Sequence, residues 1–133
     1  MVRAQFLLLS ACLLCLAATS VRDGVYSKAQ AARGKVSYGQ DCAKCHGANL
    51  EGGESAPPLF GPEFQTKWTG RTAGDLFNLI LKTMPTDDPG SLSRRQCADL
   101  VAVVLESNDY PAGPKDLDSG ADALAAIHIE PKK

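Results

Sequence analysis

Two cysteines three positions apart, with a histidine directly after the second, stand at Cys42, Cys45 and His46 in the stretch DCAKCH. Three chemistries use such a knot: structural zinc, a dithiol redox pair, or haem held through two thioethers. Structural zinc needs four ligands, usually supplied by a second closely spaced Cys or His pair. The remaining candidates, Cys97 and His128, are far apart and unpaired. A thioredoxin-like dithiol belongs to a βαβ setting, and no strand pattern is present to build one. The appended histidine fits the third chemistry. The thiols add across the haem vinyl groups, and the helical turn aims His46 at the iron as proximal ligand.

A haem reading asks for a second axial ligand. Of the two methionines, one is the initiator, and the other, Met84, lies 38 residues beyond His46 and directly before Pro85. A thioether opposite histidine is typical of electron-transfer haems and raises their potential. A lone methionine beside Leu81 would otherwise read as core filler, and it is the knot that makes ligation the better reading. His128 is the competing ligand, in a C-terminal segment expected at the periphery.

The 133 residues suffice for one domain. Residues 1–20 read as a secretory signal: an early Arg3, an apolar run from Phe6 to Ala18, then small residues near a cleavage site at Ala18 to Ser20. The run is shorter than the roughly 20 apolar residues a bilayer span needs, so no transmembrane span is expected in the mature protein. Too few apolar residues precede Cys12 for a lipoprotein signal, and lipid anchoring there is not expected. A periplasmic location follows as the expectation. Arg3 is the one charge in residues 1–20, so removing it leaves 13 Lys and Arg against 15 Asp and Glu. Without a cationic block, nucleic acid and anionic membrane are excluded as expected partners. Five cysteines, two of them in the signal and Cys97 alone, do not make a disulfide framework.

The elements that must position the knot read as helices. Ser27 caps a helix to about Cys42, with Ala31, Val36 and Tyr38 on its buried side. Gly34 inside it costs about 1 kcal/mol relative to alanine, which suggests close approach by another element. Residues 47–70 are rich in Gly, Pro and small residues and read as a long loop wrapping something that is not protein. Thr72 and Asp75 form a capping box for a helix bearing Leu76, Leu79, Ile80 and Thr83 on one face and ending at Pro85. Ser93 and Gln96 cap the next helix, to about Ser107, with Cys97, Leu100, Val101, Val104 and Leu105 as its stripe. Cys97 is expected to be buried packing without redox duty. The tail holds a short helical candidate at residues 121–126. No strand pattern or repeat is visible.

With CAKCHG and TMPTDDPGSLS on the page, the chain over about residues 26–107 resembles the class I cytochrome c family. The second phrase is similar to that of bacterial cytochrome c modules paired with quinoprotein dehydrogenases. The resemblance implies an all-α cytochrome c fold, with crossing N- and C-terminal helices around one covalently attached haem c and long irregular loops. Gly34 and Tyr38 match the family's crossing glycine and aromatic. A loop proline carbonyl, with Pro57 the better aligned of the APP pair, would accept the proximal histidine's N–H. Trp68 would bind a haem propionate through its indole N–H, and Arg71 would add charge there. The domains expected are 1–20 signal, 21–110 haem domain and 111–133 C-terminal extension, the last without a counterpart in the minimal fold.

The resulting expectation is an exported monohaem carrier of single electrons, not an enzyme. Its iron, ligated by His46 and Met84, would have no open position. Redox proteins are the expected partners, with a quinoprotein dehydrogenase as donor and an oxidase or respiratory complex as acceptor. They would dock at a haem edge that includes Lys44, Lys67 and Lys82. Two other readings stand beside it: a gas-binding haem sensor with labile Met84, and a zinc-binding interaction module.

Overall fold

Ser27 begins the first long helix by accepting a hydrogen bond on its side chain from the Gln30 N–H. In the computed structural model, which describes residues 19–133, the order is β1 (Thr19–Ser20), α1 (Lys28–Asp41), α2 (Ala43–His46), α3 (Gly61–Trp68), α4 (Ala73–Thr83), α5 (Arg94–Ser107), α6 (Ala121–Ala125) and β2 (Ile127–His128). The reading of residues 1–20 as a signal, with Cys12 and Cys15, lies outside the described residues apart from Thr19 and Ser20. Among the described residues no helix is long and apolar enough to cross a membrane.

The first and last long helices cross, as the resemblance implies, and Gly34 is where they touch. A Cβ built there would lie 2.1 Å from the Asp99 carbonyl oxygen and 2.6 Å from a Val103 methyl carbon. α5 is the central element: every residue from Cys97 to Leu105 is buried, and the helix packs against both α1 and α4. Its start is fixed locally by Ser93 and Gln96, each side chain bonding the other's backbone N–H. Thr72 and Asp75 do the same for α4.

Three expectations are corrected. Val36 is 64% exposed rather than buried. Ala31, Gly34 and Tyr38 define the buried stripe of α1, and Val36 lies about 200° around the helix from Gly34 at 3.6 residues per turn. The stretch 47–70 is not loop throughout, since its second half is α3. Proline in the first turn suits a helix start, and Phe64 and Trp68, four apart, are both buried. The strands were absent from the sequence reading because two residues each are too few to show alternation; they pair in parallel, Thr19 with Ile127 and Ser20 with His128.

The tail joins the same core. Leu117, Leu124, Ile127 and Ile129 are buried within the main cluster. The buried Gln30 amide holds both backbone groups of Leu117, donating to its carbonyl and accepting from its N–H.

Cys97 is fully buried, and burial pushes its thiol pKa up. Cys97→Ala is expected to cost about 1 kcal/mol, the order for removing one small buried group, with the visible spectrum unchanged. Thermal or denaturant melting together with alkylation of the folded protein checks this; rapid alkylation of Cys97 would contradict it.

Candidate haem site

α1 ends and α2 begins at Cys42, whose N–H still donates to the Tyr38 carbonyl at 2.9 Å. The His46 N–H in turn reaches the Cys42 carbonyl, also at 2.9 Å. This single helical corner puts Cys42, Cys45 and His46 on one rigid piece of backbone.

Pro57 fixes the ring of His46, with its carbonyl oxygen 2.9 Å from Nδ1. A carbonyl can only accept, so Nδ1 carries the proton and Nε2 keeps its lone pair for a metal. The loop that brings Pro57 there is itself pinned. Gly52 N–H donates to the His46 carbonyl at 2.7 Å, Leu59 N–H to Leu50 O at 2.9 Å, and the Tyr38 hydroxyl to Gly47 O at 2.6 Å. Gly52 has φ +80°, and a Cβ there would sit 2.6 Å from Pro58 N and 2.9 Å from the Pro57 carbonyl carbon. Only glycine lets the chain pass so close to the proline pair.

Met84 caps the C-terminus of α4, its N–H donating to Ile80 O at 3.0 Å. Cys42, Cys45, His46, Pro57, Trp68 and Met84 all line one cavity of about 340 Å³. Six of the seven residues singled out in the sequence thus meet at one place. Arg71 does not line it: its guanidinium lies 5.3 Å above the Trp68 ring. His128, the competing ligand, is exposed on β2 and also away from the cavity lining.

The walls come from residues to which the sequence alone assigns no role in the site, among them Leu59, Phe64, Leu100 and Val104. For the α5 pair a signal existed: Leu100 and Val104 are the part of the helical stripe that faces the cavity. Glu63 and Asp87 on its lining had no such signal. Asp87 forms an ion pair with Lys44 across 43 positions of sequence, which no local pattern announces. The pairing lowers the Asp87 carboxyl below its ordinary range and raises the Lys44 ammonium above its own, the hydrogen bond between them being the main cause.

Electrostatics bear on the rival chemistries. Burial pushes the Cys42 thiol up to about 11, with Asp41 and Cys97 adding to the effect. At neutral pH it is therefore a thiol, whereas a redox dithiol works through an easily formed thiolate. Among the described residues no group of three or more His, Cys, Asp or Glu side chains is placed to hold a metal ion. The donor set fits haem instead: two thiols, an imidazole with Nε2 free and a thioether face a largely apolar cavity of the size that cofactor sites have.

Residues 29–103 match the family described as cytochrome c oxidase, cbb3-type, subunit III. The chain belongs to this family of c-type cytochromes. A c-type cytochrome domain binds haem c covalently through its Cys-x-x-Cys-His motif, which in this cytochrome is the corner from Cys42 to His46. The search of curated proteins gave no match. Among solved structures, the sulfane dehydrogenase SoxCD from Paracoccus pantotrophus is similar over 74% of this chain and 54% of its own, with 22% identity and a TM-score of 0.49. The cytochrome thus spans about half the length of that chain. The matched stretch runs from α1 into α5, and everything from residue 104 onward lies beyond it.

Proposed function

We propose that this cytochrome is an exported, periplasmic carrier of single electrons with one haem, ligated axially by His46 and Met84. The observation that carries the reading is that both side chains face the same cavity as the two attachment thiols, with the histidine ring already oriented by Pro57. The haem supplies one-electron chemistry when bound. The chain supplies the rest. Cys42 and Cys45 hold the group in place, Pro57 fixes the His46 ring and its basicity, and Leu59, Phe64, Leu100 and Val104 exclude water. Trp68, on the cavity lining, would offer its indole N–H to a haem carboxylate, and Arg71 over its ring would add positive charge there.

Two axial protein ligands leave no position for a substrate, so the domain by itself carries electrons and is not an enzyme. The gas-sensor reading requires Met84 to be displaced. Redox proteins are the proposed partners, with a quinoprotein dehydrogenase as donor and an oxidase or respiratory complex as acceptor, meeting the rim expected to include Lys44, Lys67 and Lys82, of which Lys44 and Lys67 line the cavity and Lys82 does not. Of the three rim lysines, Lys44 is engaged by Asp87, and Lys67 lies 5.8 Å from the Trp68 ring centroid. With 13 basic against 15 acidic side chains beyond residue 20 and Lys44 paired, long-range steering is weak and recognition rests on short-range contact.

Electron transfer with the native partner is expected to slow only mildly between low and physiological salt, where charges are screened beyond about 10 Å at 0.1 M. Lys82→Glu should slow it more than Lys115→Glu on the tail. Stopped-flow oxidation across a salt series tests both, alongside a redox titration expected to fit one one-electron couple. A steep salt dependence, or equal effects of the two substitutions, would remove the docking site from this rim.

A further inference from the structure

The C-terminal tail lies outside the stretch that the family accounts for, yet it is bonded to both sides of Trp68. After Trp68, the Gly70 N–H donates to Ile129 O at 2.9 Å and the Ile129 N–H donates to Arg71 O at 2.8 Å. Thr72 and His128 continue this as an antiparallel bridge. Before Trp68, Gln65 is held by the same segment: its carbonyl oxygen accepts from the Lys132 N–H at 3.1 Å, and its amide donates to the Tyr110 hydroxyl at 3.1 Å. That hydroxyl donates in turn to Glu130 O at 2.5 Å. Ile129 and Tyr110 are 1% and 4% exposed, so buried side chains anchor this segment to the core.

We propose that the tail is a strap that positions the Trp68–Arg71 segment against the haem cavity, with Ile129 and Tyr110 as its fixing points, and thereby sets the reduction potential. The inference rests on the reading that this cavity holds the redox-active haem. The physical link is polarity. Trp68 lines the cavity, and Arg71 and Lys67 lie over its ring. Freeing the segment admits water and moves two cations away. Both changes favour the more positively charged oxidised iron, so both lower the potential.

The test uses the full-length, haem-loaded protein. Trp68 is the single tryptophan, so the one indole N–H resonance in a nitrogen–proton NMR spectrum reports this site alone. Tyr110→Phe keeps the ring packed but removes the hydroxyl bonds, while Ile129→Ala trims the packing and keeps the backbone. In both, the indole resonance should move, its hydrogen exchange should quicken and the potential should fall, with the far-red sulfur-to-iron band retained. Asp116→Asn breaks the tail's ion pair with Arg33, elsewhere on the tail, and should leave all three readings at wild-type values. Should Ile129→Ala fail to fold, Tyr110→Phe decides. Unmoved indole and potential in the Tyr110 variant, or equal shifts with Asp116→Asn, overturn the strap. Failure of the wild type to retain haem would instead overturn the electron-carrier reading.

Discussion

Gly34→Ala is expected to destabilise the protein by about 3 kcal/mol or more, at the upper end of what overpacking a core costs. A single methyl group does this because the nearest atom, 2.1 Å away, is the Asp99 carbonyl oxygen, and the next is a buried Val103 methyl carbon. Neither is the free end of a flexible side chain. Relief requires α1 and α5 to separate, and α5 is buried from Cys97 to Leu105. Alanine's better helix propensity returns only about 1 kcal/mol, so the clash wins. Gly34→Val should not fold at all. Denaturant melting of the haem-loaded protein measures the effect, and an alanine variant within 1 kcal/mol of wild type would show that the crossing is looser than described.

The second large effect concerns the iron. Met84→Ala should remove the far-red sulfur-to-iron band, let the reduced protein bind carbon monoxide, and lower the potential by on the order of 0.1 V, within the roughly 0.8 V range that axial ligands span. The direction follows from the loss of the thioether, which favours the reduced state. Met84 is placed by backbone, through its N–H bond to Ile80 O, so the substitution should leave α4 intact. Carbon monoxide binding by the wild type would instead favour the sensor reading.

The parts of the fold legible in the sequence were those written in local chemistry. Ser27, the Thr72–Asp75 pair and the Ser93–Gln96 pair begin helices at the positions their spacing indicates. Gly34 by itself signals a close approach, and only the family resemblance points to the C-terminal helix as its partner, because Asp99 and Val103 are far from it in sequence. Cys42, Cys45 and His46 were legible for the same local reason. Pro57 and Trp68 came only through the family resemblance, since nothing in their neighbours announces a carbonyl or an indole at a cavity wall. Long-range features were not legible. α3 lies in a stretch whose Gly and Pro content reads as loop, the tail's bonds to Gly70 and Arg71 join positions far apart in sequence, and the Lys44 charge is engaged by Asp87, 43 positions away.

The most direct test of the whole account is whether the pigment can be pulled away from the chain. After maturation with haem-attachment machinery, the protein should be extracted with acidified organic solvent and weighed by mass spectrometry. Covalent attachment through Cys42 and Cys45 predicts that the colour stays with the polypeptide, whose mass rises by one haem, and that Cys42→Ala with Cys45→Ala releases it. Colour passing freely into the organic phase from the wild type, or a polypeptide of unchanged mass, would contradict the account.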